Sequence, residues 1–153
     1  MSAEQKLAEL GLTLPPVTKA LGVYKPAVVT GNLLFTSGHG PVTENGLITG
    51  KVASVEEVQE GYQAAQLAGL AILATIQNQL GSLDKVKRVI KVFGLVQCND
   101  DFDQQPAVIN GCSELFRDVF GEDAGVGARS AVGTNALPAG MKVEIEAIFE
   151  VDV

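Results

Sequence analysis

Apolar residues recur along this chain with two periods, about two residues and about 3.6 residues, and each switch between them marks the boundary of an element. Val58, Tyr62, Ala65, Gly69, Ile72, Ile76 and Leu80 recur at helical spacing up to Gly81, which predicts a long helix. Its small residues Ala64, Ala65, Ala68 and Gly69 would let it lie close against a sheet or another helix. From Pro106, in the tolerated first turn, Val108, Ile109, Cys112, Leu115, Phe116, Val119 and Phe120 mark a second amphipathic helix stopped by Gly121. The end of the chain alternates strictly. Val143, Ile145, Ala147, Phe149 and Val151 share one side of a strand, and Lys142, Glu144, Glu146, Ile148 and Glu150 share the other. Further strands are predicted at Val86 to Cys98, which is rich in β-branched residues, and at Ser130 to Ala136. Ala27 to Ser37 reads as a hairpin, two β-rich runs around Gly31-Asn32 with a primed turn, and Leu47 to Val52 as a short extra strand. Ser2-Ala-Glu-Gln5 and Ser54-Val-Glu-Glu57 have the form of capping boxes. The first opens a short helix carrying Leu7 and Leu10 on one face, a lid or brace, and Leu14-Pro-Pro16 then enforces an extended segment. The order ββ(β)αβαββ describes an α+β fold, a sheet with two helices packed on one face.

Composition narrows what such a fold can be for. The 153 residues are expected to form a single domain, 1–153, with an N-terminal helical extension over about residues 1–16. With 46% hydrophobic and only 19% charged residues, much of the surface must be buried within the protomer or against partners, which points to an oligomer. A net charge of −7 opposes non-specific attraction to a nucleic-acid backbone, so no nucleic-acid partner is expected. The apolar run Leu67 to Ile76 is too short for a membrane span, and the N-terminus has no cationic segment followed by an apolar one. A cytoplasmic protein without a membrane partner is therefore expected. Cys98 and Cys112, with His39 as the chain's one histidine, give neither a metal set nor a disulfide framework. Buried thiols and no metal are expected.

Two residues near the C-terminus stand out chemically. Arg129 follows Gly125, Gly127 and Ala128, with no acidic residue after it until Glu144. A guanidinium so placed could grip a substrate carboxylate through two parallel hydrogen bonds, or could serve a surface or interface salt bridge. Glu144 falls on the polar side of the last strand, where it is either a wet surface residue or a base. Tyr24 could orient a ligand or plug a gap, Asn110 could face a cleft or the solvent, and Ser37 could touch a ligand or satisfy backbone at a strand end. A Ser37–His39 nucleophilic pair is conceivable, although residues two apart on a strand share a face without guaranteed contact.

The run Gly127-Ala-Arg-Ser130, then Leu137-Pro138, then Lys142-Val-Glu-Ile-Glu-Ala147, resembles the C-terminal signature of the Rid family, the YjgF-like reactive-intermediate imine deaminases also labelled endoribonuclease L-PSP. The resemblance extends to Gly22-Val-Tyr24, to Gly31-Asn-Leu-Leu-Phe-Thr-Ser-Gly38 with Pro41, and to Asp101-Phe102 with Asn110. It implies a chorismate-mutase-like mixed sheet and a homotrimer with ligand clefts between subunits. It further implies hydrolysis of 2-imino or 2-enamino acids to 2-keto acids and ammonia, without a cofactor because the imine is already electrophilic. In that picture Arg129 binds the substrate carboxylate and Glu144 activates water. Tyr24, Ser37, Gly38 and Asn110 complete the substrate site. Gly127, Val23 and His39 stand where the family commonly has Pro, Pro and Gln, which marks a divergent subgroup. Two other functions remain open: a non-catalytic trimeric binder of small carboxylates with a regulatory role, and, with less support from an acidic chain, an endoribonuclease.

Overall fold

The computed structural model describes residues 1–17 and 19–153. Among these residues seven strands form: β1 Ala27–Thr30, β2 Leu33–Thr36, β3 Val42–Thr43, β4 Gly46–Leu47, β5 Val86–Gln97, β6 Ala128–Thr134 and β7 Val143–Val151. Three α-helices accompany them: α1 Ala3–Glu9, α2 Val58–Leu80 and α3 Gln105–Phe120. β1, β2, β7, β5 and β6 make one sheet in that order, and β3 and β4 a separate small hairpin. The sheet is mixed, because β6 runs parallel to β5 while every other neighbouring pair is antiparallel. A parallel pair needs a crossover, and α3 is that crossover, laid over the sheet beside α2. This is the α+β, chorismate-mutase-like arrangement expected from the sequence.

The alternation of β7 decides which way the sheet faces. Val143, Ile145, Ala147, Phe149 and Val151 are buried beneath the helices, with Phe149 against the edges of Phe116 and Phe120 of α3. Glu144, Glu146, Ile148 and Glu150 point to the other side, which no helix among the described residues covers. On that open side Val28, Phe35 and Val132 are exposed. Helix α2 is buried on all sides from Ala68 to Ile76, where it packs against β7 and lies alongside α3. No helix among the described residues is long and apolar enough to cross a membrane.

Local signals were realised unevenly. The first capping box forms in full, with the Ser2 hydroxyl accepting from Gln5 N–H and the Gln5 side chain accepting from Ser2 N–H. Helix α1 is a brace: Ala3 and Leu7 are buried, and Glu4 accepts from Leu83 N–H at 2.8 Å, on the turn between α2 and β5. The Ser54 box does not form. A 3₁₀ turn at Val55–Glu57 precedes α2, Ser54 makes no cap, and Glu57 accepts from Ala53 N–H instead. Gly31 has a positive φ of 58° and Asn32 does not, the φ signs of a type II′ turn. Instead of one strand at Leu47 to Val52, β4 ends at Leu47, and Thr49 and Val52 make single bridges to Met141 and Cys98. Cys98 and Cys112 are buried free thiols, and burial pushes the Cys112 pKa up against the opposing pull of Arg129.

Candidate functional site

Two pockets divide the candidate residues. One, of about 530 Å³, is lined by Tyr24, Ser37, Gly38, His39 and Glu144. The other, of about 280 Å³, holds Asn110, Ser113, Glu114, Arg117 and Arg129. Strand register explains the division. Arg129 pairs with Val92 and Val92 with Ala147, so the guanidinium emerges on the helix side; Glu144 pairs with Leu95 and emerges on the open side. Arg129 lies three residues along β6 from Val132, which stands opposite Leu95. With about 3.3 Å per residue and about 4.8 Å between strands, the two Cα positions are roughly 14 Å apart, on opposite faces.

Arg129 is held from α3, its Nη1 donating to Asn110 Oδ1 at 2.8 Å and Ser113 Oγ at 3.2 Å. Both partners are neutral, and among the described residues Arg129 forms no ion pair. Asn110 is thus half-buried against the cation instead of standing in solvent. Glu114, in the same pocket, is occupied by the Tyr62 hydroxyl, which raises the Tyr62 pKa to about 12. Ser113 was absent from the expected set, although its place three residues after Asn110, on the same helix face, was a usable signal.

On the open face Glu144 accepts no hydrogen bond among the described residues. Burial, and then the neighbouring Glu146, hold its carboxyl above the usual range. Gly38 lies directly beneath it: a Cβ there would come 2.7 Å from Glu144 Oε2. The Ser37–Gly38 peptide is fixed by His39, whose Nδ1 lies 2.7 Å from the Ser37 carbonyl and whose Nε2 lies 2.8 Å from Thr75 Oγ1. A carbonyl can only accept, so Nδ1 carries the proton and Nε2 accepts from Thr75. Burial lowers the His39 pKa, with the Ser37 carbonyl opposing, which keeps the ring neutral. The planar peptide then turns Gly38 N–H the opposite way, and it finds no acceptor among the described residues.

The Ser37–His39 nucleophilic pair does not exist. The Ser37 hydroxyl donates to the Lys25 carbonyl at 2.6 Å, and the ring meets the Ser37 carbonyl, not its hydroxyl. Tyr24 is no core plug. It is half-exposed over the pocket, its hydroxyl accepting from Leu21 N–H at 3.4 Å, on a loop whose Leu21 and Val23 stand almost wholly in solvent. Among the described residues no three His, Cys, Asp or Glu side chains gather to hold a metal.

What this arrangement can do chemically follows from its polar groups. One pocket presents a guanidinium without an ion pair among the described residues, held by the neutral Asn110 and Ser113, suited to a carboxylate. The other presents a carboxylate of raised basicity beside a free N–H, suited to taking a proton from water.

Relatives match over nearly the whole chain. Protein TCP17 of Trypanosoma cruzi is 38% identical over 147 residues, covering 95% of this chain and 92% of its own. A crystal structure of a protein of unknown function from Agrobacterium tumefaciens is 41% identical with a TM-score of 0.88, covering 98% of this chain and 92% of that one. A protein of Dermatophagoides farinae named 2-iminobutanoate/2-iminopropanoate deaminase is 28% identical over 143 residues, covering 92% of this chain and 95% of its own. Residues 4–144 match the family model described as "YjgF/chorismate_mutase-like, putative endoribonuclease", and the chain belongs to that family.

Proposed function

We propose that this protein hydrolyses reactive 2-imino and 2-enamino acids to 2-keto acids and ammonia, in clefts completed between copies of the chain in a homotrimer. One observation carries the reading. A guanidinium with no ion pair and a carboxylate with no hydrogen-bond donor, the two groups such a reaction needs, occupy separate pockets on opposite faces of the sheet. A small imino acid cannot span both within one chain. Docking the apolar open face of one copy against the β6 edge of another would bring them together and cover Val28, Phe35 and Val132. The named deaminase of Dermatophagoides farinae supports the same reaction class.

In such a cleft Arg129 binds the substrate carboxylate, with Asn110 and Ser113 fixing the plane of the guanidinium. Glu144 takes a proton from water as the water oxygen bonds to C2 of the imine, and the C=N π pair moves to nitrogen. Glu144 returns that proton to nitrogen, giving a carbinolamine. Once the nitrogen is protonated again, the C–N bond breaks, its electron pair leaves with ammonia, and the hydroxyl loses its proton as C=O forms. The free Gly38 N–H is placed to donate to the substrate, and Tyr24 to close over it. An enamine enters the same route after protonation at its β-carbon.

A test uses both residues together. Generate 2-iminobutanoate enzymatically, follow ammonia release, and compare wild type, Arg129→Ala, Glu144→Gln and the two variants co-expressed. Each variant alone is expected to lose activity, Glu144→Gln by about 10²–10⁴-fold in kcat. Random mixed trimers should regain about a quarter of the wild-type clefts, because each cleft draws its two residues from different copies. Activity in neither the wild type nor the mixture would sink the reading. A second reading, a non-catalytic binder of small carboxylates, is favoured by the self-sufficiency of the Arg129 pocket. Stabilisation by 2-keto acids, lost in Arg129→Ala and without turnover of any imine, would support it.

A further inference from the structure

Asn110, Ser113, Glu114 and Arg117 stand at i, i+3, i+4 and i+7 on one face of α3, and all four line the Arg129 pocket. Three of them are accounted for. Asn110 and Ser113 accept from the guanidinium, and Arg117 is paired with Asp118 at 3.1 Å and with Glu122 at 3.9 Å. Glu114 is the anomaly. A half-buried carboxylate shares a pocket with a half-buried guanidinium, and Glu114 and Arg129 form no ion pair. Opposite charges attract more strongly in a partly desolvated pocket than on open surface, so something must hold these two apart.

The Tyr62 hydroxyl does so. It donates from α2 to Glu114 Oε2, a charge-assisted bond that engages the carboxylate on the side of that helix. Backbone packing delivers the phenol there: a Cβ on Gly111 would come 2.0 Å from the Tyr62 carbonyl oxygen and 3.0 Å from Gln66 N, so α2 and α3 meet backbone to backbone at this turn. Glu114 lies one turn further along α3. The bond with Glu114 is the first cause of the raised Tyr62 pKa, about 12, which keeps the phenol protonated and donating through the neutral range. The helical period counts Tyr62 with the apolar residues of α2, yet its side chain is only half-buried and its hydroxyl is engaged.

Resting on the reading of Arg129 as the anchor of the substrate carboxylate, we propose that Tyr62 is a positioning residue that withholds Glu114 from Arg129 and so keeps the guanidinium open to an incoming acid. Glu114 is otherwise a competitor built into the pocket, carrying the same functional group as the substrate. Two cations line the pocket in which a released Glu114 would find a partner. Arg117 already has Asp118 and Glu122, whereas Arg129 has only neutral acceptors, so Arg129 is the one it would take. Tyr62 itself touches no substrate and acts through Glu114 alone.

Two measurements on the full chain as it assembles test this, with wild type, Tyr62→Phe, Glu114→Gln and the double variant. Calorimetry first reads the binding of 2-oxobutanoate, which requires no turnover. Tyr62→Phe keeps the ring and loses the hydroxyl, and is expected to weaken binding at least about tenfold, the fall produced when the open form of Arg129 is populated roughly one time in ten. Glu114→Gln should bind at least as tightly as wild type. The double variant should bind like Glu114→Gln, because without the carboxylate the hydroxyl has nothing to withhold. That recovery separates positioning from support of the helix pair, since Glu114→Gln restores no contact that Tyr62→Phe removes. Wild-type affinity in Tyr62→Phe, or a loss that persists in the double variant, would overturn the proposal. Steady-state hydrolysis of 2-iminobutanoate is the second measurement: Tyr62→Phe should raise KM by the same factor at unchanged kcat, and the double variant should recover it. The binding pattern without turnover by any of the four proteins upholds the role of Tyr62 and ends the deaminase reading. Turnover indifferent to Tyr62→Phe keeps the deaminase reading and ends this one.

Discussion

The helix-covered face of the sheet and its open face are made by the same strands, alternate residue by alternate residue, yet they are chemically unlike. The covered face is closed by the chain itself. Val92, Val96, Val143, Ile145 and Phe149 are almost fully buried, and the Phe149 and Phe116 rings meet at 5.5 Å in an edge-to-face pair. The open face presents Val28, Phe35 and Val132 beside Glu144 and Glu146, an apolar field with acidic groups set in it. A strand can serve both because its period of two lets one run of sequence obey two different demands. The difference teaches where stability ends and function begins: the side chains that the helices bury are answerable to packing, and those of the open face, like Arg129 at the β6 edge, to whatever comes to cover them.

Paired truncations would break this contrast most sharply. Phe149→Ala should cost about 3–5 kcal/mol of unfolding free energy, the usual range for a large aromatic removed from a packed core. Phe35→Ala, on the neighbouring strand β2 and on the other face, should cost the isolated protomer less than about 1 kcal/mol and act on assembly instead. Urea unfolding at several protein concentrations, together with sedimentation, separates the two effects. A wild type that sediments as a monomer, unaltered by Phe35→Ala, would leave the open face as plain solvent-facing sheet.

A smaller effect comes from His39, the polar anchor between the faces. Its folded pKa lies below the unfolded value of 6.5, so the unfolded chain binds the proton more readily. Its contribution is therefore present above pH 6.5 and is lost as pH falls from there toward the folded pKa. Thermal melts from pH 7.5 to 5 should show a loss of stability in the wild type that is reduced in His39→Gln. Equal pH dependence in the two proteins would mean that the ring is solvated in spite of its place under Gly38.

The smallest effect belongs to Glu144, whose folded pKa is raised. The folded state then holds its proton more tightly than the unfolded chain, so the ionised carboxylate weakens the fold above the folded pKa, and the penalty vanishes below the unfolded value of 4.5. Glu144→Gln should therefore melt slightly higher than wild type at pH 7, with the gap closing as pH falls toward 4. A variant that is inactive yet more stable would sharpen the contrast, since a residue kept for its chemistry is expected to cost the fold something. A Glu144→Gln protein less stable than wild type at pH 7 would instead give the carboxylate a structural role.

Much of this architecture was legible in the order of residues. The strict alternation of β7 assigned each of its side chains to the correct face, and Gly81, at a φ of 88°, stopped α2 where the periodicity ended. These signals are local, and so are the forces behind them. The Ser54 box misled because its pattern is necessary but not sufficient: a 3₁₀ turn entered first and Glu57 found Ala53 N–H. The separation of Arg129 from Glu144 could not be read from their spacing. It depends on β6 joining β5 in parallel, and no residue near Arg129 encodes that pairing by itself. The placing of Met141 over the Gly40 backbone likewise joins residues a hundred positions apart.

The ring beneath the Ser37–Gly38 peptide offers one more consequence. Because the chain contains a single histidine, its imidazole signals in an NMR spectrum need no assignment. Those signals would report, from one peak per ring proton, whether a ligand has seated against the Gly38 backbone, which tautomer the ring keeps when it does, and how quickly the two states exchange.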